Sequence, residues 1–344
     1  MRTVRIIPLV LLAILSLASC KNNTQKQASQ GKPYEIIVVA SDADWNGALK
    51  DTIMSAMTEI IPILNAPEPM YTISRIAPSS YNHMLKLHRN LMFVDTGEQF
   101  QEPGMYAQYN VNSAPQIIVS LTGPDAQSLT QYVSDHRKEL QTVFEIAERN
   151  RSVALNKKTQ NPTFSKEIFD RFGFDMVIPK FYVFARANSD SNFVWFRKHY
   201  QEAEQGLMIY SYPYSNRSNF MVDSLVKRRN EFVGRIEGTN EGSYMTTSSV
   251  FIPVVTYKRI NGRDWSEMRG FWDMEGDFYG GPFISYSTLD EETGKIIAID
   301  MYILSPNHGK MKRNYYRDLQ HLIYGVSFPS DEKKDNKDQN TETK

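Results

Sequence analysis

Phe283-Ile284-Ser285-Tyr286-Ser287-Thr288-Leu289, the turn Glu292-Thr293-Gly294-Lys295, and Ile296-Ile297-Ala298-Ile299-Asp300-Met301-Tyr302-Ile303-Leu304 decide the fold class of this chain. Two runs rich in β-branched and aromatic residues, parted by a Thr-Gly turn, read as an antiparallel hairpin. The second run is almost continuously apolar, which predicts a central strand. Working upstream, Phe181–Arg186, Phe193–Lys198, Leu207–Tyr212, Val250–Arg259 and Met268–Glu275 read as further strands. Helical stretches lie at Phe164–Phe172 and Phe220–Val233, and Met311–Tyr324 closes the pattern. Strands in series with helices at the ends predict a largely antiparallel α+β sheet.

The first half has another rhythm. Glu35–Ala40 (EIIVVA) reads as a buried strand. A helical stripe follows over Asp44–Ile61 (Trp45, Leu49, Ile53, Met57, Ile60, Ile61) and stops at Pro62. Met70–Ile76 reads as a strand, Ser79–His88 as a short helix, Leu91–Asp95 as a strand, 96–115 as a loop and Gln116–Leu121 as a strand. A long helix runs from Gly123-Pro124-Asp125 to about Leu155. Alternating strands and helices predict an α/β layer. The polar run Asn156–Asn161 before Pro162 marks the boundary. The fold class is therefore α+β, with an α/β subdomain over 34–158, an antiparallel α+β subdomain over 159–329 and a disordered tail over 330–344.

The N-terminus gives an address. Arg2 and Arg5 precede a ten-residue apolar run, Ile6–Leu15, too short to span a bilayer. Leu17-Ala18-Ser19-Cys20 then resembles the lipobox of bacterial lipoproteins, with residues 1–19 as signal peptide and the Cys20 thiol as acyl acceptor. Several acyl chains anchor a protein where one would not. Polar residues over 20–33 read as a flexible tether. No acidic residue follows Cys20 directly, which favours a periplasm-facing envelope protein.

Composition narrows the rest. Cys20 is the only cysteine, so stability rests on packing. Lys plus Arg is 39 and Asp plus Glu is 39, a balance that argues against nucleic acid as a partner. The expected partners are the membrane, through lipid on Cys20, and an envelope protein or a glycan. No cofactor is expected: there is no P-loop, no G-x-G-x-x-G, no G-x-S-x-G and no H-E-x-x-H. The basic clusters Lys227-Arg228-Arg229 and Lys310-Met311-Lys312-Arg313 read as solvated helix faces.

Two segments carry candidate chemistry. Asp42-Ala43-Asp44-Trp45-Asn46-Gly47 opens like a calcium loop, with Asp42, Asp44 and Asn46 as ligands, but Ile53 stands where the bidentate Glu belongs. Its other reading is a strand-to-helix turn capped by Asp42 or Asp44, at the strand end where open α/β sheets bind ligands. The second segment is Arg269-Gly270-Phe271-Trp272-Asp273-Met274-Glu275-Gly276-Asp277-Phe278-Tyr279-Gly280-Gly281-Pro282-Phe283. Alternation puts Asp273, Glu275 and Asp277 on one side and Trp272 and Met274 on the other. Paired carboxylates beside Trp272 and Phe283 suit a glycan-acting site. The plainer reading is a half-buried strand ending in a Gly-Gly-Pro turn.

With the lipobox, the turn at Ile36–Gly47 and Arg269-Gly270-Phe271-Trp272 running into Gly280-Gly281-Pro282-Phe283, the chain resembles a Bacteroidetes lipoprotein family, domain of unknown function 4837, over nearly its whole mature length. The resemblance implies location and lineage but brings no activity or catalytic residue. The expectation is a non-enzymatic envelope lipoprotein that binds a partner through Asp42–Trp45 or Trp272–Phe283. The alternative is a glycan-acting protein using Asp273, Glu275 or Asp277.

Overall fold

A computed structural model of the chain describes residues 26–187, 192–305 and 312–331. Cys20 and the Lys310-Met311 part of the second basic cluster lie outside the described residues.

The first half holds β1 (Glu35–Ala40), α1 (Gly47–Met57), β2 (Thr72–Ile76), β3 (Asn90–Thr96), β4 (Gly104–Tyr109), β5 (Ile117–Gly123), α2 (Ala126–Asp135) and α3 (Arg137–Lys158). The strands form one sheet in the order β2-β1-β3-β5-β4, parallel except for β4. Ile36, Val38 and Ala40 of β1 face the three helices through Leu49, Ile53, Leu129 and Phe144. Ile37, Leu91 and Ile118 point the other way, under Tyr81 and Leu85. Both faces are covered, so β1 reads as an unbroken apolar run.

The second half holds α4 (Pro162–Phe172), β6 (Asp175–Met176), β7 (Val183–Ala187), β8 (Phe193–His199), β9 (Glu204–Pro213), α5 (Val222–Val233), β10 (Tyr244–Thr247), β11 (Val254–Ile260), β12 (Arg263–Glu275), β13 (Gly280–Asp290), β14 (Lys295–Leu304), α6 (Arg313–Leu322) and β15 (Val326–Ser327). Eight strands form an antiparallel sheet, β10-β12-β13-β14-β9-β8-β7, with β11 also on β12. β14 is central, between β13 and β9. One of its faces packs on α4 and α6 through Ile297, Ile299, Met301 and Ile303. The other packs under α5 through Ile296, Ala298 and Tyr302. The hairpin turn closes with Gly294 at φ +64 and its N–H on the Asp290 carbonyl at 2.9 Å.

Several local expectations are corrected. The helix expected over 123–155 breaks at His136, into α2 and α3. The loop expected over 96–115 contains β4, an exposed edge strand with no apolar alternation to reveal it. Ser79–His88 forms two 3-10 turns. Where the sequence suggests a flexible tether over 20–33, Ser29 N–H donates to Ala114 O (3.2 Å) and Gln30 N–H to Leu87 O (2.8 Å), so the body of the protein begins near Gln27. Where the tail is expected to start, Asp331 pairs with Arg263 at 2.8 Å. Between the halves Asn161 accepts from Thr163 N–H, Pro162 takes the first helical position and Gly173 stops α4 at φ +75.

Candidate functional site

The Asp42–Gly47 turn sits at the carboxyl end of β1, where the open-sheet rule puts it. Its side chains are engaged with the surrounding scaffold rather than converging on one point. Asp44 is buried; its carboxylate accepts from Ser41 Oγ (2.6 Å) and Thr96 Oγ1 (2.5 Å), tying the end of β1 to the end of β3. Asp42 lies in solvent and pairs with Arg75 at 2.6 Å. The Asn46 side-chain amide donates to the carbonyls of Asp42 (2.9 Å) and Ala43 (2.8 Å), spending a donor where a cation needs oxygen. Among the described residues no cluster of three acidic, His or Cys side chains is placed to hold a metal. Asn46, not Asp42 or Asp44, is the N-cap residue of α1, with no side-chain cap bond. Trp45 is half-buried on the first core.

The second segment is likewise built for structure. Met274 and Trp272 face inward while Asp273 and Glu275 face outward, as alternation requires. Trp272 is 1% exposed and its Nε1–H donates to Ile303 O at 3.2 Å. Phe283 is fully buried, 3.8 Å below the Arg229 guanidinium. Neither ring is open to a sugar, so the platform of the glycan reading is missing. Asp277 is off the strand: Gly276 (φ +79) turns the chain. Asp277 then accepts from the N–H groups of Phe278 and Thr239 at 2.8 Å each, which holds its carboxyl below the usual range.

What the segment does expose is apolar. Phe278 at the hairpin tip is 100% exposed. Along the neighbouring edge, Val250 (76%), Phe251 (55%) and Ile252 (85%) stand out on the loop between β10 and β11. Val254 and Tyr257 continue the exposed run on β11, which pairs only with β12 and leaves its outer edge free. The Tyr257 hydroxyl donates to Phe220 O at 3.2 Å, and the next residue, Met221, is also exposed.

A second set of functional-looking groups surrounds α6, the helix wedged between the halves on α3 and β14. Buried Glu68, from the first half, accepts from the N–H groups of Lys312 and Arg313 at 2.7 Å each and so caps α6. Two cavities flank the helix. One, about 340 Å³, is lined by Tyr34, Glu148, Tyr182, Lys198, Asp318 and Leu322, among others. Glu148 engages Arg89 (2.8 Å) and Arg151 (3.0 Å). Among the described residues, Lys198 and Asp318 have no ion-pair partner within 4 Å. Lys198 Nζ stands 4.7 Å from the Tyr200 ring centroid. Crowding by protein pushes the Asp318 carboxyl up to about 6, while the Lys198 charge opposes the rise. Burial pulls the Lys198 ammonium down. The other cavity, about 260 Å³, is lined by Glu145, Arg149, Lys258, Glu267, Arg317 and His321, among others.

Sequence reasoning found neither cavity. Their residues come from α3, β8, β11, β12 and α6 and meet only through the tertiary fold. The buried Arg229 was also missed. Its cluster was expected to lie in water, yet Arg229 reaches Asp300 at 2.8 Å with both side chains fully buried. The signal was a lone Asp inside an otherwise apolar strand, which calls for a buried partner.

Comparison with known proteins adds lineage. No curated protein matches the chain. The Saccharomyces cerevisiae Ran-binding protein Mog1p is similar at 10% identity and TM-score 0.31, over 45% of this chain and 91% of its own. The human StarD13 lipid transfer and protein localization domain is similar at 11% identity and TM-score 0.23, over 48% of this chain and 95% of its own. Likenesses this weak carry no argument. The resemblance to domain of unknown function 4837 is narrower than the motifs suggest, because the Ile36–Gly47 turn falls outside it. Residues 161–325 match the family model of domain of unknown function 4837, and residues 29–157 match that of domain of unknown function 8532.

Proposed function

We propose that this is a lipid-anchored, periplasm-facing protein of the cell envelope, acylated at Cys20, which binds a partner protein without catalysing a reaction. The observation that carries the reading is the exposed apolar edge: Val250, Phe251, Ile252, Val254 and Tyr257 beside the free side of β11. A soluble protein leaves such a row uncovered at the risk of aggregation, and its natural occupant is an extended apolar segment that adds a strand. Six residues, 21–26, separate Cys20 from Gln27, at most about 25 Å of extended chain, so lipid on Cys20 would hold the start of the first half within that reach of the membrane.

Two experiments test the reading. Labelling with a palmitate analogue marks the wild type and not Cys20→Ser, which leaves the membrane fraction; equal labelling of both ends the anchoring part. Crosslinking from the native envelope, beside Ile252→Asp, identifies a candidate partner. That protein, purified, binds the wild type and binds Ile252→Asp at least tenfold more weakly. Equal affinity for the two would sink the docking face. The substitution itself changes stability by no more than about 0.5 kcal/mol, since the side chain lies in solvent.

A further inference from the structure

The cavity on the Arg317 side of α6 gathers more charge than any other feature of that helix. Four cations line it: Arg149, Lys258, Arg269 and Arg317. Lys258 and Arg269 share one carboxylate, Glu267, each at 2.8 Å, and the Tyr286 hydroxyl donates to that same group at 2.8 Å. Arg317 pairs with Glu145, which also accepts from the Tyr71 hydroxyl at 2.7 Å. The third acid on the wall, Glu59, is held by Arg137 at 3.1 Å and by Gln141 at 2.9 Å. Arg149 stands over the Tyr324 ring at 4.4 Å. Positive charge therefore exceeds the negative charge free to answer it.

Two buried polar atoms on the same wall stay unsatisfied. His321 is 5% exposed and Arg317 7% exposed. His321 Nδ1 and Arg317 Nε have no hydrogen-bond partner among the described residues. Such atoms are costly unless something fills them. Burial, with Arg317 and Arg149 alongside, pushes the His321 imidazole down to about 3, so the ring is neutral at physiological pH. A neutral imidazole can turn an N–H to an acceptor without adding charge. We propose that this cavity is a binding site for a small oxyanion, a phosphate or carboxylate group, held by Arg149, Lys258, Arg317 and His321. Its volume, about 260 Å³, suits a ligand of a few heavy atoms around that group. An oxyanion supplies acceptors to Arg317 Nε and His321 Nδ1 and answers the excess charge.

Equilibrium dialysis of the full chain in detergent, with labelled inorganic phosphate and separately with succinate at constant ionic strength, tests this. Saturable uptake of one anion per chain is expected. Phosphate binding alone identifies a phosphoryl ligand, and succinate binding alone a carboxylate. Arg149→Met, which keeps an apolar stack on Tyr324, and Lys258→Met each weaken binding at least tenfold. Lys198→Met, in the other cavity, leaves it unchanged. Bound anion also raises the pH at which the His321 ring signals titrate, a readout that a purely structural role would leave fixed. No saturable uptake of either anion overturns the proposal, as does uptake insensitive to both Arg149→Met and Lys258→Met.

Discussion

Charge is drawn into the fold in two regions of this molecule, and the two are finished differently. Inside the C-terminal sheet, Arg229 and Asp300 are both fully buried and closed on one another. Thr247 Oγ1 lies 3.0 Å from Arg229 Nη1, and the Phe283 ring lies beneath the guanidinium. Around α6 the charges are left open: Asp318 and Lys198 face one cavity, and Arg317 and His321 face the other with unmet hydrogen-bonding atoms. A closed pair adds nothing that a ligand could use. Arg317 Nε and His321 Nδ1 in particular stay desolvated and unmet, a condition that packing alone does not favour. The contrast separates structural charge from charge available for binding.

The closed pair should give the largest effect. Asp300→Ala strands a guanidinium in the core and costs about 3–5 kcal/mol, measured by urea denaturation. A double change, Asp300→Leu with Arg229→Met, removes both charges and recovers most of that loss. If Asp300→Ala costs less than about 1 kcal/mol, water reaches the pair and the contrast with α6 collapses.

The next effect tests how α6 is fixed between its cavities. Glu68→Ala removes the acceptor for two backbone N–H groups at the start of the helix. It also strips a carboxylate from beside Arg313, whose guanidinium burial already disfavours. The expected loss is about 2 kcal/mol, with faster amide exchange confined at first to the N-terminal turn of α6. An unchanged exchange rate there would mean that packing on α3 and β14 alone seats the helix.

The buried strands were legible because burial on both faces writes itself as unbroken apolar runs. EIIVVA and IIAIDMYIL each lie between two covered layers; the first announced a buried strand and the second a central one. The antiparallel hairpin announced its own turn at Gly294. Edges were less legible. β4 is exposed along most of its length and carries no pattern, and His136 breaks a helix whose apolar stripe runs on past it. Of the candidate residues, Asp273 and Glu275 were given the correct side of their strand, but alternation cannot say whether the opposite side is core or cleft. Trp272 and Phe283 turned out to be core. The cavities were illegible in principle, since Lys198 and Asp318 lie 120 residues apart in sequence and meet through α6.

The smallest effects carry opposite signs in the two cavities. Asp318 titrates near 6 in the folded chain against an ordinary 3.8, so between those values the unfolded chain gives up a proton that the folded chain keeps. Stability then falls as pH rises through that window. Asp318→Asn abolishes the fall: the variant equals the wild type below about pH 4 and exceeds it above about pH 6. The full shift would correspond to about 3 kcal/mol, but the side chain keeps surface open to cavity water, and about 1 kcal/mol is expected. His321 works the other way. Its folded value near 3 lies below the ordinary 6.5, so its contribution is present above pH 6.5 and is lost as the pH falls toward 3. His321→Gln flattens that limb while leaving the Asp318 limb in place. Urea denaturation of the two variants between pH 4 and pH 7 should therefore show stability differences from the wild type that drift in opposite directions. Drift in the same direction would mean that the two cavities share one electrostatic environment, and α6 would then not divide them.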